Sequence, residues 1–389
     1  MLQFAAMNDE VRQLVQAIHD SPTRIVFVTA GAGTQALSDL LGVAGATRTL
    51  LEALVPYGQA SFNDFLDQRP RQYVADDTAR LMAGRAYTRA RWLESEGPML
   101  GLACTATIIT DRPKRGEHRA HIAAWQPARL VCHTLRLDKG ARDREGEEAV
   151  VSRLILNSLA EACGLHTRLS LSLTEKDVLD QSVCDYEVMT KRLQQGEIPY
   201  FGVQDNGRIR TADAHPKVLL SGSFNPLHDG HLGMARAAAQ VLGQPVAFEL
   251  AARNADKPPL PVPTVLYRLG QFAGRYPVYV SHAPTFVEKA RLYPGATFVV
   301  GFDTAVRILQ PRFYGHSQTN LCAALQAIRE QGCHFLVAGR LDGDSHFRHA
   351  DDLDIPAGYA DLFQPLPPNQ FREDISSTEL RQRGAKGSR

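Results

Sequence analysis

Short unbroken apolar runs alternate along the chain with stretches in which apolar residues recur every three or four positions, the marks of strands and of helices. Arg24 to Thr29 (RIVFVT) is such a run, rich in β-branched residues, and the glycine loop Ala30 to Gly33 and a helical pattern at Leu37, Leu40 and Leu41 follow it. Tyr73 to Glu94 predicts a helix, Met99 to Ile109 a buried strand, and His118 to Trp125 with Arg129 to Leu137 two further strands about a turn at Gln126-Pro127. Gly146 to Leu165 again has helical spacing and stops on Gly164, a suitable C-cap. One α/β domain is expected over residues 8–165.

From Leu165 to Lys217 the pattern loosens. A helical piece, Tyr186 to Gly196, precedes the polar stretch Val203 to Pro216, whose Asn206-Gly207 can turn a hairpin but whose flanks hardly form a core. Residues 166–216 are expected to be a linker region. Beyond them strand and helix patterns alternate: KVLLS, HLGMARAAAQVLG, VAFEL, TVLYRLGQFAG, VYVS, TFVEKARLY, TFVVG, TAVRILQ, LCAALQAIREQG and HFLVAGR. That alternation predicts a second α/β domain over residues 217–385, a Rossmann-like, doubly wound parallel sheet.

Length agrees with two domains, because 389 residues exceed the roughly 250 to 300 at which single cores stop growing. The balance of 43 basic against 42 acidic side chains gives no global field to attract nucleic acid or an anionic membrane, so small ligands are the expected partners. Cys104, Cys132, Cys163, Cys184, Cys322 and Cys333 are scattered without a CxxC pair, which suits buried reduced thiols. The first residues turn acidic too early for a signal peptide, and no stretch holds the ~20 apolar residues of a membrane span, so a cytoplasmic protein is expected. A homo-oligomer stays open.

The candidate chemistry is concentrated in GSFNPLHDGH, Gly222 to His231. If Lys217 to Ser221 is the first strand of the second sheet and His231 to Leu242 its first helix, this loop lies at the carboxyl end of a strand, where α/β sheets bind ligands. Gly222 and Gly230 would let the backbone approach a ligand, and the N–H groups that open a helix suit phosphate oxygens. His228 and His231 are three apart, so one helical turn can bring both imidazoles to one anion. Positioned donors of this kind stabilise charge during phosphoryl or nucleotidyl transfer. The alternative is a pair of histidines that merely caps a helix.

The stretch resembles the (G/S)xFxPxHxGH element of the adenylyltransferases that make dinucleotide cofactors from nicotinamide or nicotinate mononucleotide. Ile375 to Arg381 (ISSTELR), about 150 residues on, resembles their ISSTxxR element. The resemblance implies a nucleotidyltransferase that moves AMP from ATP, with Mg²⁺, to a mononucleotide or another phosphoester acceptor, in the synthesis or salvage of NAD. The Gly222, Ser223, Phe224 and Asn225 backbone would hold the acceptor's phosphate, and His228 and His231 the reacting phosphate. Ser376, Ser377, Thr378 and Arg381 would form a second anion site for the triphosphate tail, with three hydroxyl residues opening a helix and the arginine one turn on. Gly301 and Asp303 resemble the family's GxD element, which implies contact with the nucleotide's sugar or base; an N-cap aspartate is the alternative. Lys257 resembles a lysine that follows the second strand. No protein metal cage is expected, because Mg²⁺ arrives with the nucleotide. Phe224 or a residue near Tyr267 is the candidate for a pyridine ring. The rivals are a cytidylyltransferase and, in another class, a non-catalytic nucleotide-binding or regulatory protein.

In the first half, Thr29 to Tyr57 and Gly101 to Ala123 resemble the CinA C-terminal domain, the family that includes nicotinamide-mononucleotide deamidases. Thr29, Gly31, Gly33 and Tyr57 form the candidate ligand loop; its glycines suit a phosphate or carboxylate, or a close helix–strand contact. Ala30 stands where the family's loop has its serine, and alanine cannot attack an amide, so deamidase activity is not expected.

Overall fold

The computed structural model describes residues 7–94, 96–112, 115–211, 215–253, 258–341 and 346–371. The first sheet has six strands: β1 (Arg24–Ala30), β2 (Leu50–Leu54), β3 (Met99–Thr107), β4 (His118–Trp125), β5 (Arg129–Leu137) and β6 (Val178–Asp185), in the order β2-β1-β3-β4-β5-β6. It is mixed: β1 runs parallel to β2 and β3, and β3 to β6 pair antiparallel in sequence. One face packs on α1 (Asp9–His19), α2 (Thr34–Gly42) and α5 (Arg144–Ala162); the other packs on α3 (Gln59–Leu66) and α4 (Asp76–Leu93).

The second sheet takes β7 (Tyr200–Val203), β8 (Ile209–Arg210), β9 (Val218–Gly222), β10 (Ala247–Ala251), β11 (Val278–Ser281), β12 (Thr297–Gly301), β13 (His334–Ala338) and β16 (Phe363–Leu366). The short pair β14 (Arg340–Leu341) and β15 (Phe347–Arg348) stands apart as its own ribbon. The order β16-β13-β12-β9-β10-β11-β7-β8 is parallel except at the β7–β8 edge. Its helices are α6 (Tyr186–Gln194), α7 (Asp229–Leu242), α8 (Val262–Leu269), α9 (Phe286–Leu292), α10 (Phe302–Ile308) and α11 (Gln318–Glu330). Strand order reverses between β9 and β12, so the loops that leave these two strands face one crevice, the place where doubly wound sheets hold ligands.

Within residues 166–216, expected to be a linker region, β6 joins the first sheet and β7 and β8 join the second. β6 is an edge strand whose residues are mostly exposed, so its sequence carries no apolar run to betray it. The hairpin expected at Asn206-Gly207 forms, and β7 joins β11 antiparallel.

The two domains share one hydrophobic cluster, in which Met82, Tyr87 and Trp125 of the first meet Phe201, Phe248 and Phe272 of the second. α4 makes this possible. Its small residues Ala79, Ala83, Gly84, Ala86 and Ala90 are all buried, so the helix is covered on both sides rather than along one stripe. All six cysteines are free thiols. Among the described residues no helix is long and apolar enough to cross a membrane.

Candidate active site

β9 ends at Gly222, and the next residues turn sharply to start α7. A Cβ on Gly222 would lie 2.8 Å from the Phe224 ring, so glycine is needed there for that ring to fold back beneath the strand. Phe224 has φ 44°, a left-handed conformation that costs about 1–2 kcal/mol outside glycine. Packing holds it: the ring is fully buried and meets Phe248, Phe272 and His231 edge-on at centroid distances of 5.4, 5.2 and 5.1 Å. Gln271 clamps the loop from below, donating to the Phe224 carbonyl and accepting from the Leu227 N–H, both at 2.8 Å. Arg268 donates to the Ser223 carbonyl at 3.1 Å. The Phe224 ring, a candidate to meet a pyridine ring, is packed in the core. Tyr267, near which the other candidate was expected, lies under the Arg91 guanidinium of α4, 4.3 Å from its ring.

His228 is the N-cap of α7 and His231 its third residue, and their rings lie 3.8 Å apart between centroids, tilted by 31°. The expected convergence of two imidazoles at one helix start is what the fold produces. Because the His228 backbone N–H donates to His231 Nδ1 at 3.3 Å, the proton of neutral His231 sits on Nε2, which is left as its hydrogen-bond donor. Burial, then the neighbouring His228, pulls His231 down to about 3, and burial lowers His228 also. Both rings are therefore neutral donors at pH 7, not cations.

Three further histidines, His19, His121 and His133, are lowered by burial as well. A group whose folded value is depressed binds its proton first in the unfolded chain, so it stabilises the fold above the ordinary value near 6.5 and loses that contribution as pH falls. Urea unfolding is expected to show stability declining from pH 7.5 to 5.5, a range above carboxylate titration. The slope should shrink in His231→Asn; an unchanged slope in that variant would contradict the assignment.

Across the crevice, Gly301 ends β12, and a Cβ there would meet nothing within 4 Å, so open space lies above it. Asp303, in the first turn of α10, is exposed and ion-paired with Arg340 of β14. Ser223 is exposed, Asn225 half-buried, and Gly230 buried in the first turn of α7. Lys257, Ser376, Ser377, Thr378 and Arg381 lie outside the described residues. Among the described residues no group of three or more His, Cys, Asp or Glu could hold a metal ion.

The glycine loop of the first domain already holds a carboxylate, its own. Glu148 of α5 accepts from the N–H groups of Gly33 at 2.9 Å and Gln35 at 3.0 Å and from the Thr34 hydroxyl at 3.2 Å. A Cβ on Gly31 would fall 1.9 Å from the Ala106 carbonyl oxygen, and Gly31 and Gly33 have φ 91° and 99°. Of the two roles open to these glycines, this geometry accounts for close packing. Thr29 donates to the Ala32 carbonyl at 2.5 Å, and Tyr57 is 73% exposed. Glu148→Ala, which strips several donors at the start of α2, should cost about 1–3 kcal/mol in chemical unfolding. No change would mean that water replaces the carboxylate without loss.

Sequence reasoning missed Gln271, Glu148 and Arg340. They act across 37 to 115 positions of separation, and none sits in a motif.

Residues 219–383 match the family model described as Cytidylyltransferase-like. The C-terminal domain is thus a cytidylyltransferase-like domain of the nucleotidyltransferase class. The N-terminal part matches CinA-family proteins in structure. One is the competence/damage inducible protein CihA from Agrobacterium tumefaciens, 19% identical, covering 41% of this chain and 99% of that one with a TM-score of 0.34. Another is a competence-damaged protein (CinA) superfamily protein from Escherichia coli, 18% identical, covering 42% of this chain and 95% of that one, TM-score 0.31. The competence damage-inducible protein A from Klebsiella pneumoniae is 13% identical, with coverage of 40% and 99% and a TM-score of 0.31. No curated protein matches the chain.

Proposed function

We propose that the C-terminal domain transfers AMP from Mg·ATP to the phosphate of nicotinamide or nicotinate mononucleotide and releases pyrophosphate. The observation that carries this reading is the close, tilted pair of rings His228 and His231 at the start of α7, at the crevice between β9 and β12. An acceptor phosphate oxygen attacks the α-phosphorus, a new P–O–P link forms, and the bond to the β-phosphate breaks. The attacking oxygen is already anionic, so no general base is needed. Neutral His231 donates from Nε2 to a non-bridging oxygen of the α-phosphate, where charge is redistributed in the transition state. His228 supports it through the backbone N–H that fixes its tautomer. Ser376, Ser377, Thr378 and Arg381 hold the β- and γ-phosphates, and Gly301 faces the nucleotide. Magnesium comes as part of the substrate, coordinated by phosphate oxygens and water.

The N-terminal domain is not an amidase in this reading, since Ala30 offers no nucleophile and Glu148 fills the adjacent donors. Pyrophosphate release by the intact chain, measured with ATP and with CTP against both mononucleotides and simpler phosphoesters, tests the assignment. Turnover with ATP and a pyridine mononucleotide supports it. Turnover with CTP alone moves the domain to a cytidylyltransferase role, and none with any pair favours a binding protein.

A further inference from the structure

The two domains touch backbone to backbone at Gly84 of α4 and Gly274. A Cβ on Gly84 would lie 2.4 Å from the Gly274 nitrogen, and one on Gly274 2.3 Å from the Arg85 nitrogen, so neither position admits a side chain. Each glycine is followed by an arginine. The contact therefore brings Arg85 and Arg275 to one cavity of about 530 Å³, where Ser61, Asp64, Thr88 and Trp92 also line the wall.

Their neighbour Arg89, one helical turn beyond Arg85, is matched by Glu52 through two hydrogen bonds of 2.8 and 3.0 Å. Arg85 and Arg275 have no such match. Arg85 Nε donates to the Phe65 carbonyl at 3.0 Å, Arg275 Nε is buried without a partner, and among the described residues neither guanidinium forms an ion pair. Without direct hydrogen bonds, Asp67 acts on both from longer range, Asp64 on Arg85 alone, and Asp229 on Arg275 alone. Burial lowers both arginines from their ordinary value, and Arg275 lowers Arg85 further. Two half-buried like charges facing one cavity oppose the domain contact unless an anion offsets them, and guanidinium forks suit the oxygens of a phosphate.

We propose that this interdomain cavity binds a phosphomonoester, with its phosphate between Arg85 and Arg275. The cavity has the volume of a small-metabolite site, and Ser61 adds a hydroxyl donor; Thr88 Oγ1 already donates to the Gly84 and Arg85 carbonyls, and the Arg89 guanidinium lies over the Trp92 ring. Neither His228 nor His231 lines this cavity. A second cavity, of about 500 Å³, shares Arg275 and Trp92 with it and reaches Pro226, Leu227 and Gln271 beneath the histidine loop.

Equilibrium dialysis of the intact chain with inorganic phosphate and with ribose 5-phosphate tests the proposal. One saturable site is expected, weakened about 10- to 100-fold in Arg85→Gln and in Arg275→Gln, the range for hydrogen bonds to a charged group. It should be unaltered in His231→Ala and in Arg12→Gln, a change at an exposed arginine of α1. Arginine-dependent binding of phosphate but not of the sugar phosphate would assign the same site to the free anion. Without ligand, Arg275→Gln should melt at or above the wild-type temperature, because a repulsion is removed and its Nε has no partner to lose; Arg85→Gln also gives up the bond to the Phe65 carbonyl. Full affinity in both variants, loss of binding in His231→Ala, no saturable binding of either probe, or a lowered melting temperature of ligand-free Arg275→Gln would each overturn the proposal.

Discussion

Replacing His231 by alanine should lower the turnover number for nucleotidyl transfer by about 10²- to 10³-fold, the usual effect of losing one donor to transition-state charge. The ring is neutral, its Nδ1 is occupied by the His228 N–H, and its remaining donor is Nε2. Such a donor acts when charge moves, so ATP binding should change little. Alanine also leaves the His228 N–H without its acceptor, and a loss of stability could pass for a loss of chemistry. His231→Asn separates the two, since its amide can both accept and donate; it should recover the stability of the turn and part of the turnover. Arg381→Ala should instead raise the KM for ATP, because the triphosphate is charged before the reaction and uniform binding is what is lost. The reverse pattern, with His231→Ala altering only KM and Arg381→Ala only turnover, would show the two phosphate sites wrongly assigned.

Phe224→Ala should destabilise the second domain by about 3–5 kcal/mol, the cost of emptying a large aromatic site in a core. The ring has no exposed surface and three aromatic neighbours, of which one is His231 itself. Its left-handed backbone is held by the same packing, so the cavity also releases the loop that sets the histidine pair. Phe224→Leu, which keeps most of the volume, should cost much less. If Phe224 acted by stacking on a substrate ring, both variants would fold normally and lose only affinity for the acceptor. Chemical unfolding alongside acceptor KM distinguishes the two.

Much of the second domain was legible because its central strands are buried on both faces and read as apolar runs, as in KVLLS, TFVVG and HFLVA. The histidine pair was legible because its geometry is local: two residues three apart on one turn meet in any helix. The place of the Phe224 ring was not legible, for the same reason in reverse. Within a motif it reads as a contact residue, whereas its burial depends on Phe248 and Phe272, which no local pattern joins to it. β6 was invisible because an exposed edge strand needs no apolar alternation. The carboxylate in the first glycine loop was equally hidden, since Glu148 is more than a hundred residues away along the chain. The contact between Gly84 and Gly274 belongs to that class too: each glycine is unremarkable until the other domain arrives.

The most direct measurement follows the label of ATP marked at its α-phosphate, incubated with the intact chain, Mg²⁺ and nicotinamide or nicotinate mononucleotide. The account predicts that the label appears in the dinucleotide, in amounts equal to the unlabelled pyrophosphate released, and that His231→Ala slows both together. Label that stays in ATP with every acceptor, or that leaves as free AMP without joining one, would contradict it.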